Sequence, residues 1–388
     1  MAGLPEHKRL LLGYPVNMVT PPEAFFAWRR ELALVGLDQF AFNNVGDPYE
    51  HSHIEFNSHA FERELITRFA ALYRFSADDT WGFLSNSGTD SNMHGLYMGR
   101  KLLTGRAGVP PKIYFTAEAH YSIQILADLL GLERVEVGTE VDGRMSADSL
   151  GLSLAEHADH PALVVATVGT TFKGAVDSVD EIQAALIGRE AYLHVDAALF
   201  GGYLPHTAFA DELAQRAGGA SRYDSIAVSC HKFFGFPSPA GIYICTRAAF
   251  DEFRAHFSQV HNPEYLLQVP GTITCSRDAV KPAEFWFFSS REAFARQRAD
   301  AKQILSDASY LYGAMKTRFP ELEPIRANAL SNTVYFKKPS DEVVSTYTLA
   351  TMKLRRDGAQ VPYAHVVVMP HATRAVLDQF LSDLGRAG

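Results

Sequence analysis

Val228-Ser-Cys-His-Lys-Phe-Phe-Gly-Phe-Pro237 is the stretch on which the fold turns. It leaves a short apolar run, Ser225-Ile-Ala-Val-Ser229, of strand length, and then reaches a lysine flanked by His231 and followed by aromatic residues, Gly235 and Pro237. Lysine is rarely buried without a partner or a task. A strand in this position delivers its last residues to the carboxyl edge of a sheet, where α/β proteins place ligands. A desolvated Lys232 amine there has a lowered pKa and is a competent Schiff-base nucleophile. The plainer reading is a surface lysine in a turn with His231 an incidental neighbour, and this stretch alone does not separate the two.

Outward from Lys232 the texture alternates. Short apolar runs at Trp81–Ser85, Lys112–Thr116, Arg134–Val137, Ala162–Val168, Tyr192–Asp196 and Gly241–Cys245 read as strands. Between them Gly88–Leu103, Ser122–Leu130 and Val179–Ile187 read as helices. Upstream, Phe61, Leu65, Ile66, Phe69, Leu72 and Tyr73 sit at helical spacing among charged residues, which is an amphipathic helix. Apolar strands separated by helices predict a largely parallel α/β sheet covered on both faces. After a long helical stretch that begins near Ala293 the rhythm changes, with strands near Asn332–Phe336 and His365–Met369 and a helix over Thr373–Leu384. The expected division is an N-terminal arm over 1–57, a large domain over 58–290 and a small C-terminal α+β domain over 291–388. The turn-rich arm, with Gly13-Tyr-Pro15 and Pro21-Pro22, needs other surface to pack against.

Composition bounds the function. The 388 residues are 47% hydrophobic, enough for a sizeable core without a disulfide or metal staple. With 36 Lys+Arg against 44 Asp+Glu the net charge is -8, which disfavours general nucleic-acid or anionic-membrane binding. No apolar run reaches the roughly 18 residues of a membrane helix. The run Leu10–Leu12 is too short for the h-region of a secretory leader, and three cysteines form no disulfide framework, so a cytoplasmic enzyme is expected.

Four further elements could carry chemistry. In His194-Val-Asp196-Ala-Ala198 a carboxylate ends a strand beside two small residues; it could hold a pyridinium charged, or be an ordinary strand-end aspartate. In Ser85-Asn-Ser87-Gly88-Thr89 the backbone N–H groups at a helix start could cradle a phosphate, or Ser87 could be a plain cap; no Gly-Lys-Ser/Thr follows, so it is not a Walker motif. His120, after the Tyr114 strand, could stack on a flat ring or be structural. The loop Val168-Gly-Thr170-Thr171 suits a ring, a phosphate or a tight turn. His51, His53, Glu55 and His59 lie close in sequence, but their spacing is not that of a His-Glu-x-x-His zinc helix, and no metal is expected.

Together these motifs are more specific than any alone: phosphate loop, stacking His, strand-end Asp and a Lys 36 residues beyond it follow the order of fold-type I pyridoxal-phosphate enzymes. More narrowly, the chain resembles the group II amino-acid decarboxylases, most of all bacterial histidine and plant serine decarboxylases. The resemblance runs from Gly13-Tyr-Pro-Val-Asn17 through Asn43-Asn-Val-Gly-Asp47, Ala119-His-Tyr-Ser122, Gly174-Ala-Val-Asp177 and His231-Lys-Phe-Phe-Gly235 to Ala364-His-Val-Val-Val-Met-Pro370. It implies a mostly parallel, seven-stranded-type sheet with helices on both faces, and pyridoxal 5'-phosphate as cofactor. It also implies an L-amino-acid substrate and a homodimer with its active site at the subunit interface, where the N-terminal arm over 1–57 is expected to pack. By position, Lys232 would carry the cofactor, Asp196 pair with its ring nitrogen, His120 stack on the ring and Ala198 lie against the other face. Ser87, Gly88, Thr89, Ser229 and His231 would hold phosphate, Thr170 would approach the cofactor, and Tyr265 would donate the proton that completes decarboxylation. The Ser276-Arg277 region would face the neighbouring subunit's site. Where the family has Gly, Gly and Asn, this chain has Cys230, Cys275 and Asp278; these leave the cofactor motifs intact and are expected to bear on the substrate. An extra stretch from Lys353 to Val361 is expected to lengthen a surface loop. The competing class is another fold-type I activity, decarboxylation-dependent oxidation or transamination.

Overall fold

The computed structural model describes residues 8–216, 221–261, 263–356 and 358–386. After β1 (Asn43–Val45) come the strands β2 (Trp81–Ser85), β3 (Lys112–Thr116), β4 (Glu133–Val137), β5 (Ala162–Thr167), β6 (Ala191–Asp196), β7 (Ser225–Ser229) and β8 (Gly241–Cys245), with an α-helix after each from β2 to β5 and β7 followed directly by β8. β2 to β8 form a seven-stranded sheet in the order β2-β8-β7-β6-β5-β3-β4, with β8 the one strand running against the rest. The run-like apolar sequences follow from burial on both faces: every residue of β2, β3, β5, β7 and β8 is buried. The edge strand β4 instead exposes Glu133, Arg134 and Glu136, charges that oppose pairing with another chain.

The helix Gly88–Ala107 starts at Ser87, whose hydroxyl accepts the Asp90 N–H at 3.2 Å, and stops at Gly108 with φ +73°. One turn apart on its inner face, Gly95 and Gly99 let it lie close to the sheet. A Cβ at Gly95 would come 2.5 Å from His194 Nδ1, and one at Gly99 2.7 Å from Leu163 Cδ1 and Tyr192 Cδ1.

A second, antiparallel sheet takes the order β10-β12-β11, after β9 (Ser276–Asp278), from β10 (Thr333–Lys337), β11 (Ala350–Arg356) and β12 (Ala359–Val367). Val334, Phe336 and Val366 share one buried apolar cluster with Ile304 and Leu311 of the helix Arg291–Arg318 and Phe380 and Leu384 of Arg374–Arg386, the Phe336 and Phe380 rings lying 6.1 Å apart. The stretch expected to be a longer surface loop is part of a hairpin: β11 and β12 pair from Ala350↔His365 to Arg356↔Ala359. Leu354 packs on Tyr363 there while its neighbours Lys353 and Arg355 are exposed, so a strand alternation was present in a charged run that reads as loop.

The N-terminal residues pack on their own chain. Leu12 bonds Tyr347 and Val367 through its backbone, at 3.1 and 2.8 Å, and Asn17 N donates to the Lys232 carbonyl at 3.1 Å. The helix Glu23–Leu34, unforeseen in a turn-rich arm, buries Phe25 against Phe287 and Phe288. The helix Arg247–Val260 was also unforeseen. β1 pairs antiparallel with β9, Asn43 opposite Asp278 and Val45 opposite Ser276, and Asn43 Nδ2 donates to Ser276 Oγ at 3.2 Å. A buried ion pair pins that junction: Arg277 donates to Glu62 at 2.8 Å, to the Gly46 carbonyl at 2.9 Å and to Thr272 Oγ1 at 3.1 Å. Glu62 also accepts the Leu84 N–H of β2 at 2.9 Å.

Candidate active site

Five strands that run in one direction, β2, β3, β5, β6 and β7, end at the same edge of the sheet. Their last residues and the turns after them line a cavity of about 200 Å³. From the turn after β2 come Ser87, Gly88 and Thr89, from β3 His120, from β5 Thr167, Gly169 and Thr171, from β6 Asp196 and Ala198, and from β7 Ser229, His231 and Lys232. Thus nearly all the motifs picked out in the sequence converge, because each is a strand end and the parallel topology stacks strand ends side by side.

Lys232 opens onto this cavity, and burial holds its pKa below the usual lysine range, opposed by the charge of Asp196. The same burial, with Lys232 as a second cause, lowers His120. The His120 ring is fixed by its own helix: Nδ1 accepts the Ser122 N–H at 3.3 Å, capping the helix Tyr121–Leu129, and lies 2.7 Å from Ser122 Oγ. Asp196 accepts the Ala198 N–H at 3.1 Å on Oδ1 and Asn92 Nδ2 at 2.9 Å on Oδ2. His231 is lowered by burial and by Lys232.

Three sequence expectations fall elsewhere. Thr170 is fully buried with its hydroxyl accepting the Ala175 N–H at 2.9 Å, so its side chain is spent on the turn and the neighbouring Thr167, Gly169 and Thr171 line the cavity instead. Tyr265 lies in the short helical turn Glu264–Leu266, 75% exposed and outside the cavity of its own chain. Neither cysteine expected to bear on the substrate lines the cavity of its own chain. Cys230 is buried in the main core, and Cys275 borders a separate apolar cavity with Phe257 and Ile273. Asp278 caps the helix Val280–Trp286, accepting the Val280 and Lys281 N–H groups at 2.8 and 3.0 Å. In the histidine-rich stretch His51 and His53 are exposed, while His59 is buried and pushed down to about 4 by that burial.

Sequence reasoning missed Leu199 and Pro239 in the lining and the partners behind Asp196. The second was readable in part: His194 and Asp196 are two apart on one strand and therefore share a face.

The cavity suits pyridoxal phosphate. A Cβ at Gly88 would come 2.6 Å from Ser229 Oγ, so the helix start and β7 make a cradle that only a residue without a side chain leaves open. Thr167 lines the cavity, and its Oγ1 is buried without a partner among the described residues. A sheet of this order with its lysine on the carboxyl edge defines a fold-type I pyridoxal-phosphate enzyme. The family profile described as the pyridoxal-dependent decarboxylase conserved domain matches residues 86–306. Histidine decarboxylase of Solanum lycopersicum is 31% identical, covering 98% of this chain and 86% of the relative. Serine decarboxylase 1 of Oryza sativa subsp. japonica is 32% identical, covering 98% and 73%. Among solved structures, L-methionine decarboxylase from Streptomyces sp. 590 shares the fold with a TM-score of 0.83 at 24% identity, over 99% of this chain and 92% of that one. The chain belongs to the pyridoxal-dependent decarboxylase family. It is a carboxy-lyase, and its cofactor is pyridoxal 5'-phosphate.

Proposed function

We propose that this enzyme decarboxylates an L-amino acid to the corresponding amine and carbon dioxide, with histidine (to histamine) or serine (to ethanolamine) the leading substrates. One observation carries the reading: a lysine amine of lowered basicity opens into the same cavity as an oriented carboxylate and a capped imidazole. The relatives named histidine and serine decarboxylase support the choice of substrates.

When bound, the cofactor supplies an electron-accepting ring for the charge left as carbon dioxide departs. Lys232 would hold the cofactor through its amine and Asp196 would pair with the ring nitrogen, with His120 and Ala198 flanking the ring. Ser87, Gly88, Thr89, Ser229 and His231 would hold the phosphate. Thr171 stands at the cavity wall where the sequence pointed to Thr170.

The subunits form a homodimer in which each active site is completed across the interface, and the division at 57 and 290 stands as the domain reading. Tyr265, exposed and remote from its own cavity, serves the partner's site as proton donor in this arrangement. Exposed Val260, Tyr265 and Leu267 give that face the apolar character of an interface. The enzyme works in the cytoplasm.

The test is a screen of the purified holoenzyme against all amino acids, scored for carbon dioxide and primary amine. Release from histidine or serine is expected. A keto product that depends on an added keto acid, or oxygen consumption, replaces this reading with transamination or oxidation.

A further inference from the structure

His194 is fully buried and does not line the cavity, yet it sits at the centre of a chain of hydrogen bonds that ends on Asp196. The direction of every bond in that chain can be deduced. An ionised carboxylate only accepts. Asp196 takes one N–H from Ala198 and one from Asn92, so the Asn92 amide must turn its NH₂ toward Asp196 and its Oδ1 the other way. His194 Nε2 lies 2.9 Å from that Oδ1 and must donate.

Burial pushes His194 down to about 4, so the ring is neutral and carries one proton. With Nε2 protonated, Nδ1 accepts, and its partner at 2.7 Å is the Ser225 hydroxyl. Ser225 Oγ in turn accepts from Tyr192 OH at 2.9 Å. Tyr192, Ser225, His194 and Asn92 thus donate in one sense, toward Asp196, across β6, β7 and the helix Gly88–Ala107. The fold reserves the space: Gly95, three residues after Asn92 on the same helix face, is where any Cβ would strike the His194 ring.

We propose that His194, with Asn92 and Ser225, is a positioning residue that holds Asp196 as a fixed acceptor and so makes the site select a cofactor ring whose nitrogen is protonated. The proposal rests on the reading that Asp196 faces that nitrogen. It assigns the relay no contact with the substrate. Its effect lies in the donor sense imposed on Asp196: an imidazole in the other tautomer would confront the Asn92 oxygen with a lone pair and favour a flipped amide, which would turn an oxygen onto the carboxylate.

The experiment compares two cofactors. The full-length chain is reconstituted with pyridoxal phosphate or with its analogue in which the ring nitrogen is replaced by C–H, and each dissociation constant is measured from cofactor absorbance. Wild type should prefer pyridoxal phosphate. His194→Leu should lose about tenfold or more of that preference through weaker binding of pyridoxal phosphate, with binding of the analogue nearly unchanged. Ser225→Ala, a mild truncation, should move the preference the same way by less, and carries the test if His194→Leu does not fold. His194→Gln, whose amide can still donate to Asn92, should restore most of it. Equal weakening for both cofactors in His194→Leu marks a merely structural role and overturns the proposal, as does a wild-type preference that survives in both His194→Leu and Ser225→Ala. A wild type that binds the two cofactors equally overturns the reading of Asp196, and the relay with it.

Discussion

The Glu62–Arg277 junction holds a fully buried cation and the Lys232 cavity a half-buried one, and they treat it in opposite ways. Arg277 is met by a carboxylate, a carbonyl and a hydroxyl, all within 3.1 Å. Lys232 has the charge of Asp196 near it, but among the described residues no hydrogen bond to its amine. A buried cation held by a carboxylate and further acceptors stays charged and ties elements together. One left without partners loses basicity and becomes available as a nucleophile. The same element, burial of positive charge, is structural at one place and chemical at the other, and the number of partners decides which.

Removing the cations separates the two regions most sharply. Lys232→Ala should reduce carbon dioxide release by on the order of 10³-fold or more, because in the proposed role the amine would both attach the cofactor and take it back. Its urea unfolding midpoint should stay near wild type, since no hydrogen bond is lost. Normal turnover in this variant would refute the assignment. Arg277→Met should do the reverse in stability: leaving Glu62 buried and uncompensated costs about 3–5 kcal/mol by urea denaturation. The double variant Glu62→Gln/Arg277→Met should recover part of that loss. A single variant as stable as wild type would show that the junction is not held by this pair.

The smallest effect concerns a buried base outside both regions. His94 is buried against Trp81, Phe83 and Tyr243, neither ring nitrogen has a partner among the described residues, and burial pushes it down to about 3. The unfolded chain takes up a proton here near pH 6.5 and the folded chain does not, so stability falls as pH falls from about 6.5 toward 3, by up to about 1.4 kcal/mol per unit. His59, His194 and His206, each pushed down to about 4, act in the same sense. Asp177, raised to about 7, and Asp224, raised to about 6, act in the opposite one. Comparison of His94→Leu with wild type isolates one histidine: between pH 6.5 and 5 the variant should lose about 1–2 kcal/mol less. Parallel pH profiles would contradict this.

Much of the candidate cavity was legible in the sequence because its residues are strand ends. The runs Lys112–Thr116, Ser225–Ser229 and Gly241–Cys245 are strands over those same residues, and each motif after a parallel strand reaches the one edge. Period and punctuation are local properties, so they can be read without knowing the fold. The errors were of another kind. Thr170 and Thr171 are adjacent in a loop, and a hydrogen bond to Ala175 decides which one faces the cavity. Cys230 precedes His231 by one residue and still points into the core. Side-chain direction in a turn depends on backbone geometry that residue type does not encode.

The sequence by itself determined a mostly parallel α/β sheet, a lysine at its carboxyl edge and a family of pyridoxal-dependent decarboxylases. Only the tertiary structure decided how the charges are managed. The bond from Asn92 to Asp196 spans 104 residues and the pair Glu62–Arg277 spans 215. No period or spacing reports on partners so distant. Their pairing is set by which faces the packed helices and strands bring together, and by the rule that a polar group removed from water must find its partner there.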